Sequence, residues 1–451
     1  MLINILVKTK TISKDKLENR RTYRFRLNKR EYNLSINTNI SSSSYGVRNA
    51  PERILDLNGI VNTFHLINRF VLKSQRDDVN LKIQVTFPVK DLDFWNTELV
   101  KKKLEELLIY FTDIRWNINF ILDNSSHTHP NPKLPFKKEE ELEICFWSGG
   151  LDSYAGLIDR LSSFPRKEFI VASFESNNST KSIQNDVFLK LKKIYPNLTE
   201  RIYIHNSFNH KNKNEFPYAR TRGLFFLLSG MSLAFLLGQN KIYMYENGMG
   251  ALNLMLPGNY GLDQSITATF QSQRLCEEFF TLVTDTEIKI ENPYAFQTKS
   301  EMLRNILEKK LTNFISITSS CDSPQRKKPK ECGFCTSCLL RRFSLLSAGI
   351  EDEKDYIFKN LFESELENKN TFQAMSGQVR IFDSLLRTDS LDTFFDYFPD
   401  LHRSQEYSRL DKNLFRQKLR SFLELYIDEW KKFEAKLYQD EELATSSKLI
   451  A

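Results

Sequence analysis

One junction constrains the fold of this chain more than any other feature. The apolar run ending at Phe146-Trp147 leads straight into Ser148-Gly149-Gly150, and a helical pattern follows from Leu151-Asp152-Ser153. Glycine lets backbone amides approach an anion closely and adopt dihedrals that other residues avoid. A helix beginning there turns its unpaired N–H groups and positive dipole end toward that anion. Ser148 and Ser153 add hydroxyl donors, and Asp152 could cap the helix or hold Mg2+ beside phosphates. This is not the Walker arrangement, because no lysine follows at the helix start. A loop of backbone and hydroxyl donors suits pyrophosphate as a leaving unit, with attack at the α-phosphorus. An ordinary strand–turn–helix junction is the plain alternative, and the full SGGLDS string argues against it.

Around this junction, strand-like and helical runs alternate. ELEICFW, EFIVASF, RIYIHN and KIYMYEN read as strands, with helical stretches between them. Such alternation predicts an α/β fold with a parallel sheet covered on both faces and a ligand site at the carboxyl ends of the strands. Residues 1–135 carry alternating segments such as TYRFRLN and LKIQVTFPV plus a helical ELVKKKLEELLIY. They predict an N-terminal α+β domain with a partly antiparallel sheet. The polar stretch with His127 and His129 reads as a linker, its histidines as solvent-exposed. Residues 136–349 form the core, and 350–451 a helical extension with a frayed tail after Gln439.

Composition narrows the class rather than choosing it. Lys and Arg number 64 against 57 Asp and Glu, a modest excess that gives no ground for nucleic-acid binding. The most apolar stretch, Leu224 to Leu237, is too short to span a bilayer and reads as a buried core helix. No secretory signal opens the chain, which is expected to be cytoplasmic, with no membrane partner.

Cys321, Cys332, Cys335 and Cys338 crowd into one segment, with two successive CxxC steps. Four thiolates at this spacing suit a structural Zn2+ site with no open position. Lys327, Lys328, Lys330, Arg341 and Arg342 would offset its negative charge. Cys145 and Cys276 are isolated and read as packing residues.

SGGLDS resembles the signature of the N-type ATP pyrophosphatases, or PP-loop family. Followed far downstream by C…CGxCxxCxLR, it resembles the 7-cyano-7-deazaguanine synthases, the QueC family. Phe216-Pro217-Tyr218-Ala219-Arg220-Thr221-Arg222 resembles that family's arginine-bearing entry to the apolar helix. Asn292-Pro293 and Thr298-Lys299-Ser300-Glu301-Met302 resemble the segment before its zinc cluster. Independently, Thr298 and Glu301 spell a capping box. The resemblance spans about Glu141 to Gly349. It implies an adenine nucleotide alpha-hydrolase-like, Rossmann-like sheet with a four-cysteine zinc site. It also implies a carbon–nitrogen ligase that adenylates 7-carboxy-7-deazaguanine with ATP and lets an amine, ammonia or one on a partner protein, attack the mixed anhydride to give an amide, or a nitrile where a second ATP dehydrates it. On that resemblance Ser148, Gly149, Gly150, Asp152 and Ser153 hold pyrophosphate, and Arg220 or Arg222 neutralises charge. Ser173 and Phe174 lie near the adenosine.

After KIYMY the chain reads Glu246-Asn247-Gly248, where nitrile-forming members carry a different stretch. Glu246 and Asn247 suit the edge of a guanine-like ring, or form a simple strand-end turn. The departure and the two flanking regions point to an acceptor larger than ammonia, such as an amine of a partner protein. Extended QueC-like proteins of bacterial antiviral defence operons are the resembling group. A homodimer is one assembly the sequence allows. Two alternatives stand beside this reading: a tRNA-modifying PP-loop enzyme and a non-catalytic nucleotide-sensing module.

Overall fold

The structure, a computed structural model, describes residues 2–9, 20–27, 29–39, 50–71, 80–124, 141–175, 178–208, 221–254, 265–312, 314–322, 331–359, 366–388 and 390–450. The first third comprises β1 (Leu2–Thr9), β2 (Arg20–Leu27), β3 (Arg30–Thr38), α1 (Glu52–Phe70), β4 (Lys82–Val89), α2 (Leu92–Trp95), α3 (Glu98–Thr112) and β5 (Arg115–Leu122). The core follows with β6 (Leu142–Trp147), α4 (Leu151–Ser163), β7 (Glu168–Glu175), α5 (Asn178–Ile194), β8 (Leu198–Phe208), α6 (Thr221–Leu236) and β9 (Lys241–Tyr243). Then come α7 (Gly248–Leu252), α8 (Phe270–Thr284), β10 (Lys289–Glu291), α9 (Lys299–Glu308) and α10 (Thr336–Ser347). The last part is helical: α11 (Leu366–Leu386), α12 (Asp392–Tyr397), α13 (Asp400–Tyr407) and α14 (Lys412–Ile450).

The strands join one sheet in the order β10-β9-β6-β7-β8-β3-β2-β1-β4-β5. From β10 to β8 all neighbours are parallel, as the strand–helix rhythm predicts. β3 then pairs antiparallel with β8, β2 with β3 and β1 with β2, while β1, β4 and β5 are parallel again. The partly antiparallel sheet expected of the N-terminal residues is therefore present, and it continues the core sheet edge to edge.

Period-two alternation explains the layering. On β6, Ile144 and Phe146 face a core shared with α1, α3, α6 and α8. Cys145 and Trp147 face the opposite core, shared with α4, α5 and α9. Both faces of this strand are buried, which is why it reads as a continuous apolar run. At the N-terminal end of the sheet one face is uncovered among the described residues, and Leu2, Leu6, Ile121 and Leu122 are exposed. The apolar helix α6 is buried in the first core, and no helix among the described residues is long and apolar enough to cross a membrane. Cys145 and Cys276 are fully buried, in keeping with packing roles.

The helical extension shares a third core with α7 and α10, in which Phe343 of α10 packs against Tyr426, Trp430 and Phe433 of α14. The frayed tail expected after Gln439 is instead helical backbone, since α14 runs to Ile450.

Candidate active site

The strand order reverses beside β6, which has β7 on one side and β9 on the other. In open parallel sheets such a switch point leaves a crevice at the carboxyl ends of the strands. Here that crevice receives the loop after β6 and the turn after β9.

The loop folds as its sequence requires. Gly149 has φ +74°, and a Cβ there would meet the Gln184 backbone at 3.2 Å. The positive φ disfavours any side chain, and the close backbone leaves little room for one. Trp147 Nε1 donates to the Gln184 carbonyl at 3.0 Å and Gln184 Nε2 donates to the Trp147 carbonyl at 3.2 Å, fastening the strand end to α5. Ser148 Oγ accepts from Gly150 N at 3.1 Å and lies 2.9 Å from Ser153 Oγ, which donates to the Gly150 carbonyl at 3.0 Å. The two serines thus brace the turn that opens α4. Gly150 takes the N-cap position, so Asp152 does not cap the helix and its carboxylate is left for other work.

That carboxylate meets a lysine. Asp152 Oδ2 lies 3.1 Å from Lys299 Nζ, and both side chains are largely buried. Asp152 Oδ1 is buried with no hydrogen-bond partner among the described residues. A buried oxygen of this kind costs free energy unless something binds it, so the residue fits a phosphate-bound Mg2+. Lys299 opens α9, whose start is fixed by the capping box foreseen from sequence. Thr298 Oγ1 accepts from Glu301 N at 3.1 Å, and Glu301 Oε2 accepts from Thr298 N at 2.7 Å.

Glu246 completes the cluster. Burial, and then the negative charge of Asp152, push its carboxyl up to about 8, with Lys299 opposing. Asn292 holds its backbone at both ends, accepting from Glu246 N and donating to its carbonyl. A Cβ on Gly250 would lie 2.3 Å from Glu246 Oε1, so glycine makes room for the acid. Asn247 caps α7 through Met249 N at 2.9 Å and donates to Glu246 Oε1 at 3.1 Å, which commits both ends of its amide locally.

The remaining candidates fall at different places. Ser173 lies beside Trp147 in the β6–β7 register, its hydroxyl buried without a hydrogen-bond partner among the described residues. Phe174 points to the other face, into a cluster with Phe146, Phe225 and Phe226. Arg222 rests its guanidinium over the Phe226 ring at 5.2 Å. Together with Arg69 it adds to the burial that holds the His65 imidazole down at about 3. Arg220, His127 and His129 lie outside the described residues.

The four cysteine sulfurs all lie within 4.8 Å of one another, which fits a tetrahedral Zn2+. Hydrogen bonds from Cys321, then Cys335 and Cys338, hold the Cys332 thiol far below its ordinary value. Gly333, at φ +89°, makes the tight turn, because a Cβ would sit 2.5 Å from the Phe358 carbonyl. Arg341, fully buried, does not face the sulfurs. It donates to Thr318 Oγ1 at 2.7 Å and the Ile315 carbonyl at 2.8 Å. The next residue along, Ser319, donates its N–H to the Gly149 carbonyl at 3.2 Å. The cysteine module therefore braces the glycine loop from behind. Arg342 donates to the carbonyls of Gly333, Phe358 and Lys359, also within the module. Lys327, Lys328 and Lys330 lie outside the described residues.

Comparison with known proteins covers part of this arrangement. Residues 182–349 match the family model of the queuosine biosynthesis protein QueC, a span that holds Glu246, Lys299 and all four cysteines. Over that span the chain is similar to QueC proteins, in keeping with the QueC-like reading from sequence. A 7-cyano-7-deazaguanine synthase of Picrophilus torridus is 28% identical over 249 residues, covering 50% of this chain and 97% of the relative. One of Syntrophobacter fumaroxidans is 29% identical over 140 residues, 31% of this chain and 56% of that protein. As in the QueC-like reading from sequence, the glycine loop and the cysteine set occur together. What sequence reasoning missed is the pairing of Lys299 with Asp152. The capping box places Lys299 at the first turn of a helix but gives no sign of its partner.

Proposed function

We propose that this protein uses ATP to adenylate the carboxylate of a 7-carboxy-7-deazaguanine-like substrate and passes the acyl group to an amine. As a QueC-like PP-loop protein it is an ATP-dependent ligase-type enzyme. A substrate carboxylate oxygen attacks the α-phosphorus, the bond to the bridging oxygen of the β-phosphate breaks, and pyrophosphate leaves. The amine nitrogen then attacks the acyl carbon, AMP departs with its oxygen, and an amide forms. The chain's work is positioning and charge stabilisation.

The observation that carries this reading is the meeting of the glycine loop, Asp152, Lys299 and Glu246 at the switch point between β6 and β9. The amides of Gly149, Gly150 and the start of α4, with Ser148 and Ser153, receive the pyrophosphate. Lys299 faces its charge, and Arg220 or Arg222 adds to the neutralisation. Asp152 would hold Mg2+, which supplies charge neutralisation on the phosphates. Ser173 lies toward the nucleotide and Phe174 backs its wall. Glu246 meets the polar edge of the deazapurine, supported by Asn247. Cys321, Cys332, Cys335 and Cys338 hold a structural Zn2+. Residues 136–349 form the catalytic domain, with 1–135 and 350–451 as flanking regions.

The acceptor in this reading is an amine on a partner protein, in the setting of antiviral defence. Support comes from a cleft of about 680 Å³ between α8, the segment after β10 and the extension, lined by Asn292 and Gln297 on one wall and Arg409 and Lys418 on the other. Asn292 also holds Glu246, so the cleft wall adjoins the site.

Pyrophosphate release from ATP, with and without 7-carboxy-7-deazaguanine and with ammonia as acceptor, tests the reading. Release that depends on the deazapurine is expected, and an amide mass in the products would make ammonia a sufficient acceptor. An adenylate without amide points to the protein acceptor. ATP binding with no release and no adenylate sinks the enzymatic reading in favour of a nucleotide-sensing module.

A further inference from the structure

Helix α14 lies outside the span that matches the QueC family model, yet it touches both halves of the site. Its Phe422 ring occupies the space a side chain at Gly248 would need, with Cε2 2.5 Å from where that Cβ would stand. Gly248 directly follows Glu246-Asn247. Seven residues later, Glu429 is buried against the start of α9. Thr298 Oγ1 donates to its Oε1 at 3.3 Å, Arg304 pairs with the same oxygen, and Ser347 Oγ donates to its carbonyl at 3.4 Å. Residues seven apart share one helix face, so one stripe of α14 reaches both segments.

A buried carboxylate is an odd choice for packing alone. Around it the extension is held by apolar and aromatic residues, among them Phe343, Tyr426 and Trp430. Removing charge from water there is costly, and an apolar residue of similar size generally serves stability as well or better. Glu429 Oε2 has no hydrogen-bond partner among the described residues, so the group is not even fully satisfied. What the carboxylate does supply is direction. It sits at the positive end of α9 and shares the hydroxyl of Thr298, the residue before Lys299.

We propose that α14 is an integral part of the site: Phe422 and Glu429 set the Glu246–Gly248 turn and the start of α9 against each other, and Glu429 is a positioning residue for Lys299. The inference rests on the reading of Lys299 and Asp152 as the phosphate end of the site. The C-terminal region then does more than recruit or solubilise; it fixes the distance between the two reacting ends.

Four full-length proteins test this: wild type, Glu429→Gln, the double variant Arg304→Met/Glu429→Met, and Phe433→Ala. The double variant removes the buried pair as a unit, so it keeps the fold without the carboxylate. Phe433→Ala is the control, since its ring packs on Phe343 of α10 and Trp430 of α14, away from the Glu429 contacts. Zinc content and circular dichroism check folding. Binding of a non-hydrolysable α,β-methylene ATP analogue is measured alongside kcat and KM for pyrophosphate release. Both Glu429 variants should bind the analogue at least fivefold more weakly and lose about tenfold in kcat, with KM for the deazapurine little changed. The control should melt earlier while its affinity and kcat stay within twofold of wild type. Glu429 variants that fold, hold zinc and match wild type in affinity and kcat overturn the proposal. So does failure of both to fold, which makes Glu429 structural only. Should wild type bind the analogue yet release nothing with the deazapurine, the substrate reading fails while the affinity comparison still decides the role of Glu429. Wild type that binds no analogue overturns both.

Discussion

Lys299 Nζ lies 3.1 Å from Asp152 Oδ2, joining the first turns of two helices that the chain separates by most of the core. An ammonium so placed can meet phosphate charge at the end of the glycine loop. Lys299→Met should therefore reduce pyrophosphate release by roughly 10²- to 10³-fold, as loss of one preorganised donor does elsewhere. Lys299→Arg keeps the charge but not the shape and should fall between. Wild-type rates in the Met variant would show that the pair is structural.

Glu246 gives a pH signature. Its carboxyl is raised to about 8 in the folded chain, above an ordinary value of 4.5. The folded state then holds the proton more tightly than the unfolded state between those limits. Stability should fall as pH rises through that window, by at most about 5 kcal/mol on linkage grounds. Urea unfolding at pH 5 and pH 8 measures it, and Glu246→Gln should flatten this part of the slope. A slope that survives in Glu246→Gln would assign it to other groups.

Gly149→Ala asks for a left-handed backbone that alanine resists, at about 1–2 kcal/mol, with the Gln184 backbone only 3.2 Å from the new methyl. We expect a lower melting temperature and a larger loss of nucleotide affinity, because the amides that face the phosphates turn with the residue. Calorimetric titration with ATP reads the second effect.

Removing zinc should reach the loop too. Arg341 links the cysteine module to Ile315 and Thr318, and Ser319 then holds Gly149. Chelation, or Cys338→Ser, should lower both stability and ATP affinity, whereas a free-standing module would lower stability alone. Metal analysis should return one zinc per chain before treatment.

Gly248→Ala tests the packing of α14 on the other half of the site. The new methyl would overlap the Phe422 ring, and overpacking of this kind costs about 1–3 kcal/mol. Gly248→Ala with Phe422→Leu should recover part of it, read by thermal unfolding of the single and double variants.

The parts of this site that were legible in sequence are those in which neighbours along the chain act together. SGGLDS is a strand end, a turn and a helix start within a few residues, and its geometry follows from glycine and serine chemistry. The cysteine spacing and the Thr298–Glu301 box are local in the same sense, as is the strand–helix rhythm that gives the parallel sheet. Pairings across the fold leave no such trace. Nothing near Asp152 announces Lys299, and nothing in α14 marks Glu429 as the partner of Thr298, since its surroundings read as an ordinary amphipathic helix. Arg341 shows the converse: beside the cysteines in sequence, it pairs with Asp352 and donates to Ile315 and Thr318. The joining of β3 to β8 was equally hidden, because strand patterning gives a face and not a neighbour.

That last pairing has a consequence for how the chain is made. Leu34 lies opposite Phe208 and Thr38 opposite Ile204, so β3 finds its partner only after the whole first half of the core has been synthesised. Until then the growing polypeptide carries an open strand edge, the kind that pairs with the wrong chain when concentrations are high. Expression at low temperature, or with a chaperone that shields strand edges, should raise the yield of native protein by shortening competition at that edge.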